Sequence, residues 1–184
     1  MQITGGYLKG RKLLSPPKNS KIRPLRTRIR KALFDILGSQ IKGTNVLDLF
    51  SGTGALGIEA LSREANFCVF VDYSPLSLNL IKKNLENLNL IKKTKIFKLK
   101  LPEGFSKLTK NYSNFFDIVF ITPPYATGLS LETLRYLPIC LLKENVIIMV
   151  EEKTNIKLPE KIKNFELLKK RIYGETTLYF YYRQ

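Results

Sequence analysis

Two short stretches of this sequence combine residue types that could hold a nucleotide-like ligand and a planar acceptor. The run Asp48–Gly57 predicts a strand end, a glycine turn and the start of a helix. Such a turn brings bare backbone N–H groups and a helix N-terminus against a ligand. The run Thr122–Tyr125 is a stiff proline bend that ends in an aromatic ring. Together they favour methyl transfer from S-adenosylmethionine to an exocyclic amine of a nucleic acid.

The glycine turn contains the pattern G-x-G-x-x-G at Gly52, Gly54 and Gly57, and Asp72 follows Gly52 at a distance of twenty positions. An acid at about that spacing accepts hydrogen bonds from ribose hydroxyls, which a dinucleotide and S-adenosylmethionine both offer. Asp48 favours S-adenosylmethionine, because a carboxylate beside the turn would repel a pyrophosphate but suits a sulfonium and an ammonium. Capping of the loop is the other interpretation of Asp48.

The restricted backbone of the proline bend could orient hydrogen-bond acceptors toward the amine that receives the methyl group. Thr122 precedes a proline and is therefore held in extended geometry. Pro123 and Pro124 lack N–H donors and fix φ, so the carbonyl groups of the bend point in set directions. A carbonyl there can accept a hydrogen bond from an –NH2 group, and Tyr125 offers a ring for stacking an extruded base. We predict that these four residues form the catalytic segment, although Pro-Pro after a strand is also a common turn.

The charge of the chain favours a polyanionic partner. The chain has thirty-one Lys and Arg and fifteen Asp and Glu, which gives a net charge of +16. Its length of 184 residues fits one domain. Residues 1–43 hold eleven of these cations, among them Lys21, and one acid, Asp35. An arginine guanidinium can bind two phosphate oxygens at once, which favours contact of this basic segment with nucleic acid. The other interpretation of the same cations is a solvated face of a helix. The predicted RNA contacts are Arg11, Arg23, Arg26, Arg28, Arg30 and Lys31.

The chain lacks the residues that several classes of chemistry need. Histidine is absent, which removes Ser–His and Cys–His pairs and His-ligated metals. Cys68 and Cys140 have no metal or redox spacing, and we expect both to be reduced core residues. No signal peptide or membrane-length apolar run is visible. We therefore expect a cytoplasmic monomer without a metal and without a membrane partner.

The apolar periodicity predicts alternating strands and helices, and so a mostly parallel sheet with a C-terminal antiparallel hairpin. Ligands in such sheets bind at the carboxyl ends of the strands, where both candidate stretches fall. Besides a hairpin over Gln2–Leu14 and a loop over Ser15–Lys21, the predicted helices are Arg26–Leu37, Ala55–Ala65, Pro75–Leu88, Leu129–Leu142 and a short Pro159–Asn164. The predicted strands are Asn45–Phe50, Phe67–Val71, Lys95–Leu99, Phe116–Ile121, Val146–Glu151, Leu167–Tyr173 and Thr176–Tyr182.

The chain resembles the RsmD-type ribosomal RNA methyltransferases over nearly its whole length. The resemblance is carried by Ile3–Gly6, by Lys9–Leu13, by Arg23-Pro24 with Arg28 to Phe34, and most specifically by Asp48–Arg63. It implies a Rossmann-like, class I methyltransferase core over residues 44–184 and a small basic RNA-contacting extension over residues 1–43. It also implies methylation of the N2 amine of a guanine in 16S ribosomal RNA, within the assembling small subunit. The candidate cofactor contacts are Asp48, Phe50, Ser51, Gly52, Thr53, Gly54, Asp72 and Leu101.

Two positions depart from the pattern of that family. The proline motif usually begins with Asp or Asn, whereas this chain has the uncharged Thr122. Lys100 stands where the family has an acid that accepts a bond from the adenine amine, and Glu103 is a nearby substitute. A catalytically weakened or inactive methyltransferase-fold protein that binds ribosomal RNA during ribosome assembly is therefore the second hypothesis.

Two further classes of enzyme fit the sequence less well. A DNA-adenine methyltransferase also uses a proline bend, but the chain lacks room for a separate DNA-recognition domain. A nicotinamide dehydrogenase is opposed by Asp48 and by the missing acid–base residues.

Overall fold

The computed structural model describes residues 1–20 and 22–183. Lys21, counted among the N-terminal cations and in the predicted loop, and Gln184, in the predicted core, lie outside the described residues. The chain divides into two compact units, Met1–Lys98 and Leu99–Gln184. Residues 1–43 thus belong to the same unit as residues 44–98, and their separate function as an RNA-contacting extension stays a prediction.

The first unit alternates helices and parallel strands, as the periodicity predicts. The strand β2 pairs in parallel with β1, with Leu47 opposite Val69, and with β3, with Cys68 opposite Thr94. The strands β1 and β2 are buried along almost their whole length, which explains their continuous apolar sequences. The elements are α1 (Thr27–Leu37), β1 (Asn45–Leu49), α2 (Ala55–Ser62), β2 (Phe67–Asp72), α3 (Pro75–Asn87) and β3 (Thr94–Lys98).

The N-terminal segment, residues 1–14, is fastened to the end of α2. A backbone bridge joins Gln2 to Lys12 in antiparallel fashion, so the predicted hairpin is confirmed. The backbone N–H of Tyr7 donates to the Ser62 carbonyl at 2.9 Å, and the Ser62 hydroxyl donates to the Gly5 carbonyl at 2.6 Å. A Cβ on Gly6 would lie 1.8 Å from the Ser62 carbonyl oxygen, so only glycine allows this approach.

The second unit contains one parallel strand pair followed by antiparallel strands. The strand β5 pairs in parallel with β4 and antiparallel with β8, β8 pairs antiparallel with β7, and β7 with β6. The predicted C-terminal hairpin is confirmed, with Gly174 at φ 62° in its turn. The elements are α4 (Phe105–Thr109), β4 (Phe116–Ile121), α5 (Leu129–Tyr136), β5 (Leu142–Lys153), β6 (Lys161–Ile162), β7 (Phe165–Tyr173) and β8 (Thr176–Arg183).

Three expectations about the second unit were wrong. The helix α5 ends at Tyr136 instead of reaching Leu142, because Pro138 holds the residue before it in extended geometry. The segment Pro159–Asn164 contains the short strand β6 instead of a helix, because its backbone pairs with β7. Cys140 is exposed, whereas Cys68 is buried as predicted. Among residues 1–20 and 22–183, no helix is both long and apolar enough to cross a bilayer.

Candidate active site

The glycine turn forms at the carboxyl end of β1 and opens α2, as predicted. Its backbone enters the left-handed region at Phe50, Gly52 and Gly54, with φ of 59°, 57° and 77°. Glycine adopts this region without strain, whereas Phe50 is strained there, a feature that clusters at functional sites. A Cβ on Gly57 would lie 2.3 Å from the Phe70 ring, so the third glycine lets α2 pack closely on β2.

Asp48 lies at the end of β1, directly beneath the turn. Its side chain is 1% exposed, and Oδ2 accepts a hydrogen bond from the Gly57 N–H at 3.0 Å. The predicted capping role is therefore present. Oδ1, however, is buried and has no hydrogen-bond partner among the described residues. Burial raises the pKa of Asp48 to about 7, against the opposing effect of the Gly57 N–H. An unsatisfied buried carboxylate oxygen fits a cationic ligand.

The raised pKa of Asp48 predicts a specific pH dependence of stability. The folded state holds the proton more tightly than the unfolded chain, where the pKa is near 3.9, so this contribution is complete below about pH 4 and lost above about pH 7. Between pH 5.5 and 8, wild type should lose of order 2 kcal/mol more unfolding free energy than Asp48→Asn. Urea unfolding at both values checks this, and equal losses in the two proteins would contradict it.

Asp72, at the end of β2, organises the same turn. Its Oδ2 accepts from the Gly52 N–H at 2.8 Å, and its Oδ1 accepts from the Ser74 N–H at 2.9 Å. The Ser51 hydroxyl accepts from the Val71 N–H at 2.9 Å, which ties the turn to β2. A carboxylate has about four acceptor positions, so two remain on Asp72 for ribose hydroxyls. The structure thus places Asp72 at the glycine turn, as its spacing from Gly52 predicts.

Asn84 also supports the turn, and the sequence reasoning missed it. Its side chain is 1% exposed. The Nδ2 donates to the Thr53 carbonyl at 3.1 Å, and the Oδ1 accepts from the Leu14 N–H at 2.8 Å. One amide therefore joins the N-terminal segment to the glycine turn. The available signal was a polar residue on the face of α3 that also carries Leu80, Ile81 and Leu85.

The proline bend leaves β4 at its carboxyl end and leads into α5. Pro123 is buried, Pro124 is exposed, and Thr122 and Tyr125 are half-buried. The Tyr125 hydroxyl donates to a carboxylate oxygen of Glu151 on β5 and lies 3.1 Å from the hydroxyl of Thr176 on β8. Burial is the largest cause that raises the pKa of Glu151 to about 7. Sequence reasoning missed Glu151, although an acid at the end of the predicted strand Val146–Glu151 was visible.

The segment after β3 carries Lys100 and Glu103, both of which are exposed. The exposed Lys100 ammonium pairs with the Glu103 carboxylate at 3.3 Å. Glu103 therefore stands next to the lysine and offsets its charge, while Lys100 itself can accept no hydrogen bond. Leu101 is buried, with 4% of its surface exposed. Contact between Leu101 and the cofactor stays a prediction.

The basic N-terminal residues divide into one buried and several exposed side chains. Arg30 is 0% exposed; its Nε lies 3.4 Å from Glu59 Oε2, and it donates to the Gln2 carbonyl. The prediction that Arg30 contacts RNA was therefore wrong. Its spacing to Phe34 and Leu37 on the buried face of α1 was the available signal. The other predicted RNA contacts are exposed, namely Arg11, Arg23, Arg26, Arg28 and Lys31.

The mixed, mostly parallel sheet and the glycine turn define a Rossmann-like fold of the methyltransferase class. The structure titled "Putative methyltransferase yhhF from Escherichia coli" matches with a TM-score of 0.85 and 29% identity, covering 100% of this chain and 98% of that one. The fold class predicted from the sequence is confirmed.

The chain belongs to the family described as "Conserved hypothetical protein 95", whose model matches residues 1–182. A relative from Buchnera aphidicola, "Ribosomal RNA small subunit methyltransferase D", is 37% identical over 182 residues, which are 97% of this chain and 91% of the relative. A relative of the same name from Escherichia coli K12 is 31% identical over 185 residues, covering 100% and 90%. The family resemblance found in the sequence is confirmed.

Proposed function

We propose that this protein transfers a methyl group from S-adenosylmethionine to the N2 amine of a guanine in 16S ribosomal RNA. Membership of a family whose relatives are named small-subunit ribosomal RNA methyltransferases supports the reaction class and the RNA. The guanine and its N2 atom rest on the overall resemblance to the RsmD-type methyltransferases, from whose proline motif this chain departs at Thr122. We further propose that the protein acts as a cytoplasmic monomer on the RNA or on the assembling small subunit.

The observation that carries the proposal is the pair of acids beneath the glycine turn. Asp72 keeps the turn open through the Gly52 N–H and retains two acceptor positions for ribose hydroxyls. Asp48 presents a buried oxygen without a partner among the described residues, which suits the positive charge of the ligand. When bound there, S-adenosylmethionine supplies a methyl group already activated on a sulfonium.

The proline bend holds the acceptor in this proposal. The Pro123 carbonyl and the Thr122 hydroxyl accept hydrogen bonds from the target amine, and the Tyr125 ring stacks against the extruded base. On transfer, the amine nitrogen would gain the methyl group that the sulfonium gives up, and the methylated amine would then lose a proton to water. No side-chain base is required, which agrees with the absence of histidine. The exposed Arg11, Arg23, Arg26, Arg28 and Lys31 contact the phosphate backbone.

Methyl incorporation tests the proposal directly. Purified protein, labelled S-adenosylmethionine and small-subunit particles from a deletion strain should yield N2-methylguanine in 16S RNA after nuclease digestion. Particles from the parent strain, which already carry the methyl group, serve as the control and should accept little. If the RNA of the deletion strain keeps all of its N2-methylguanine, the proposed function is wrong.

The second candidate, a catalytically weak protein that assists assembly, is favoured by Thr122. Its hydroxyl lacks the charge that roughly doubles the strength of a hydrogen bond. In the same incorporation assay, Thr122→Asp should exceed wild type if the threonine attenuates an active enzyme. If no variant incorporates methyl, calorimetry distinguishes the remaining cases, because a pure assembly factor would bind RNA without binding the cofactor.

A further inference from the structure

The segment between β4 and α5 is held by two neighbouring acids of β5. The Tyr125 hydroxyl donates to Glu151, and the Ser130 hydroxyl, in the first turn of α5, donates to Glu152 Oε2. Thr176 adds a second contact to the Tyr125 hydroxyl at 3.1 Å. Successive side chains of a strand point to opposite faces, so the two acids reach different ends of the segment.

Both acids lie near the carboxyl end of β5 and are unusually buried for glutamates. Glu151 is 7% exposed and Glu152 is 1% exposed. Among residues 1–20 and 22–183, no lysine or arginine forms an ion pair with either of them. A buried carboxylate without a cation costs free energy, which an apolar residue of similar size would avoid. Departures of this kind are expected where the structure serves a site.

The hydrogen bonds define the direction in which the tyrosine ring points. With Glu151 ionised, the Tyr125 hydroxyl must donate to it and can then accept from the Thr176 hydroxyl. Both groups at the ring tip are fixed on strands, β5 and β8. The ring itself stays half-exposed. The contacts thus immobilise Tyr125 by its polar end.

We infer that Glu151 and Glu152 are positioning residues for methyl transfer, which act by fixing the proline bend rather than by touching the substrate. This inference rests on the proposed function, in which Tyr125 stacks against the target base. Misplacement of a reacting group by about 1 Å can cost about a hundredfold in rate. Loss of the Glu151–Tyr125 bond should therefore lower kcat on RNA about tenfold and leave the cofactor Kd unchanged.

A double-mutant cycle on small-subunit particles tests the inference. Tyr125→Phe keeps the ring and removes the hydroxyl, and Glu151→Met removes the acceptor without a buried charge. Each should lose about tenfold in kcat, and the double variant no more than either single variant, because both delete the same interaction. Glu151→Gln retains an acceptor oxygen and should recover most of the rate. The matched control is Tyr179→Phe, which deletes the bond from a buried tyrosine to the Ile156 carbonyl and should keep full kcat.

A second measurement separates this inference from the proposed function. Amide hydrogen exchange over residues 125–130 should accelerate in Tyr125→Phe, Glu151→Met and Ser130→Ala, and not in Tyr179→Phe. Independent, multiplying losses of kcat in the double variant, or unchanged exchange in all three variants, would overturn the inference. If wild type transfers no methyl group, the proposed function fails and the exchange rates alone decide whether the acids fix the bend.

Discussion

Replacing Glu59 with alanine should lower the free energy of unfolding by about 3–5 kcal/mol, the usual cost of removing one partner of a buried ion pair. Glu59 is 0% exposed on α2 and accepts hydrogen bonds from the Thr4 N–H at 2.9 and 3.1 Å and from the Arg63 Nε at 3.1 Å. The Arg30 guanidinium beside it is equally buried, and burial lowers its pKa. Without Glu59, this cation would remain buried and uncompensated.

Two further variants make the Glu59 prediction specific. Glu64→Ala removes an acid from the same region whose ion pair with Lys42 is exposed, and its urea midpoint should stay close to that of wild type. The double variant Arg30→Met with Glu59→Met replaces the buried pair with apolar side chains and should regain most of the loss. Equal urea midpoints for Glu59→Ala and Glu64→Ala would contradict this account of the N-terminal segment.

Two sets of hydrogen bonds, at Glu59 and at Asn84, link the N-terminal segment to α2 and to the glycine turn. Thr4 is joined to α2 through Glu59, and the Leu14 N–H is joined through Asn84 to the Thr53 carbonyl. The N-terminal segment is thus fastened at two points, to α2 and to the glycine turn. This explains why residues 1–43 belong to the first compact unit rather than forming one of their own.

The predictable part of the structure has local causes. The glycine turn, β1 and β2 follow from a continuous apolar pattern and from glycines at positions that require positive φ. The end of α5 at Tyr136 was also visible in principle, since Pro138 is a local signal. The strand β6 was not, because its two residues are extended only through pairing with β7.

The supporting side chains of the site depend on partners distant in sequence. Arg30 pairs with a residue 29 positions away, and Asn84 contacts backbone groups 31 and 70 positions away. Glu151 meets Tyr125 from a different element. A single sequence shows these residues as polar positions in apolar patterns but does not show what each one binds. The sequence therefore suffices to propose residues that touch the ligand, but it does not reveal the side chains that hold those residues in place.

The second large effect is expected at Asp72, where alanine should weaken the binding of S-adenosylmethionine by about 100- to 10,000-fold. Two charge-assisted hydrogen bonds to ribose hydroxyls are each worth about 1.5–3 kcal/mol, and the Gly52 and Ser74 N–H groups would lose their acceptor as well. Calorimetry with the purified protein measures the change. Asp35→Ala, which removes an exposed acid of α1, should bind the cofactor as wild type does.

A cofactor analogue without the ribose hydroxyls separates the two ways in which Asp72 can act. If Asp72 binds the ribose, wild type should lose affinity for the analogue, whereas Asp72→Ala should bind the analogue and the cofactor equally. If Asp72 only holds the turn through Gly52, the variant should lose the same factor for both ligands. Asp72→Asn keeps one acceptor oxygen and should fall between wild type and alanine, because an amide oxygen can serve one backbone N–H but lacks the charge that strengthens the bond to a hydroxyl.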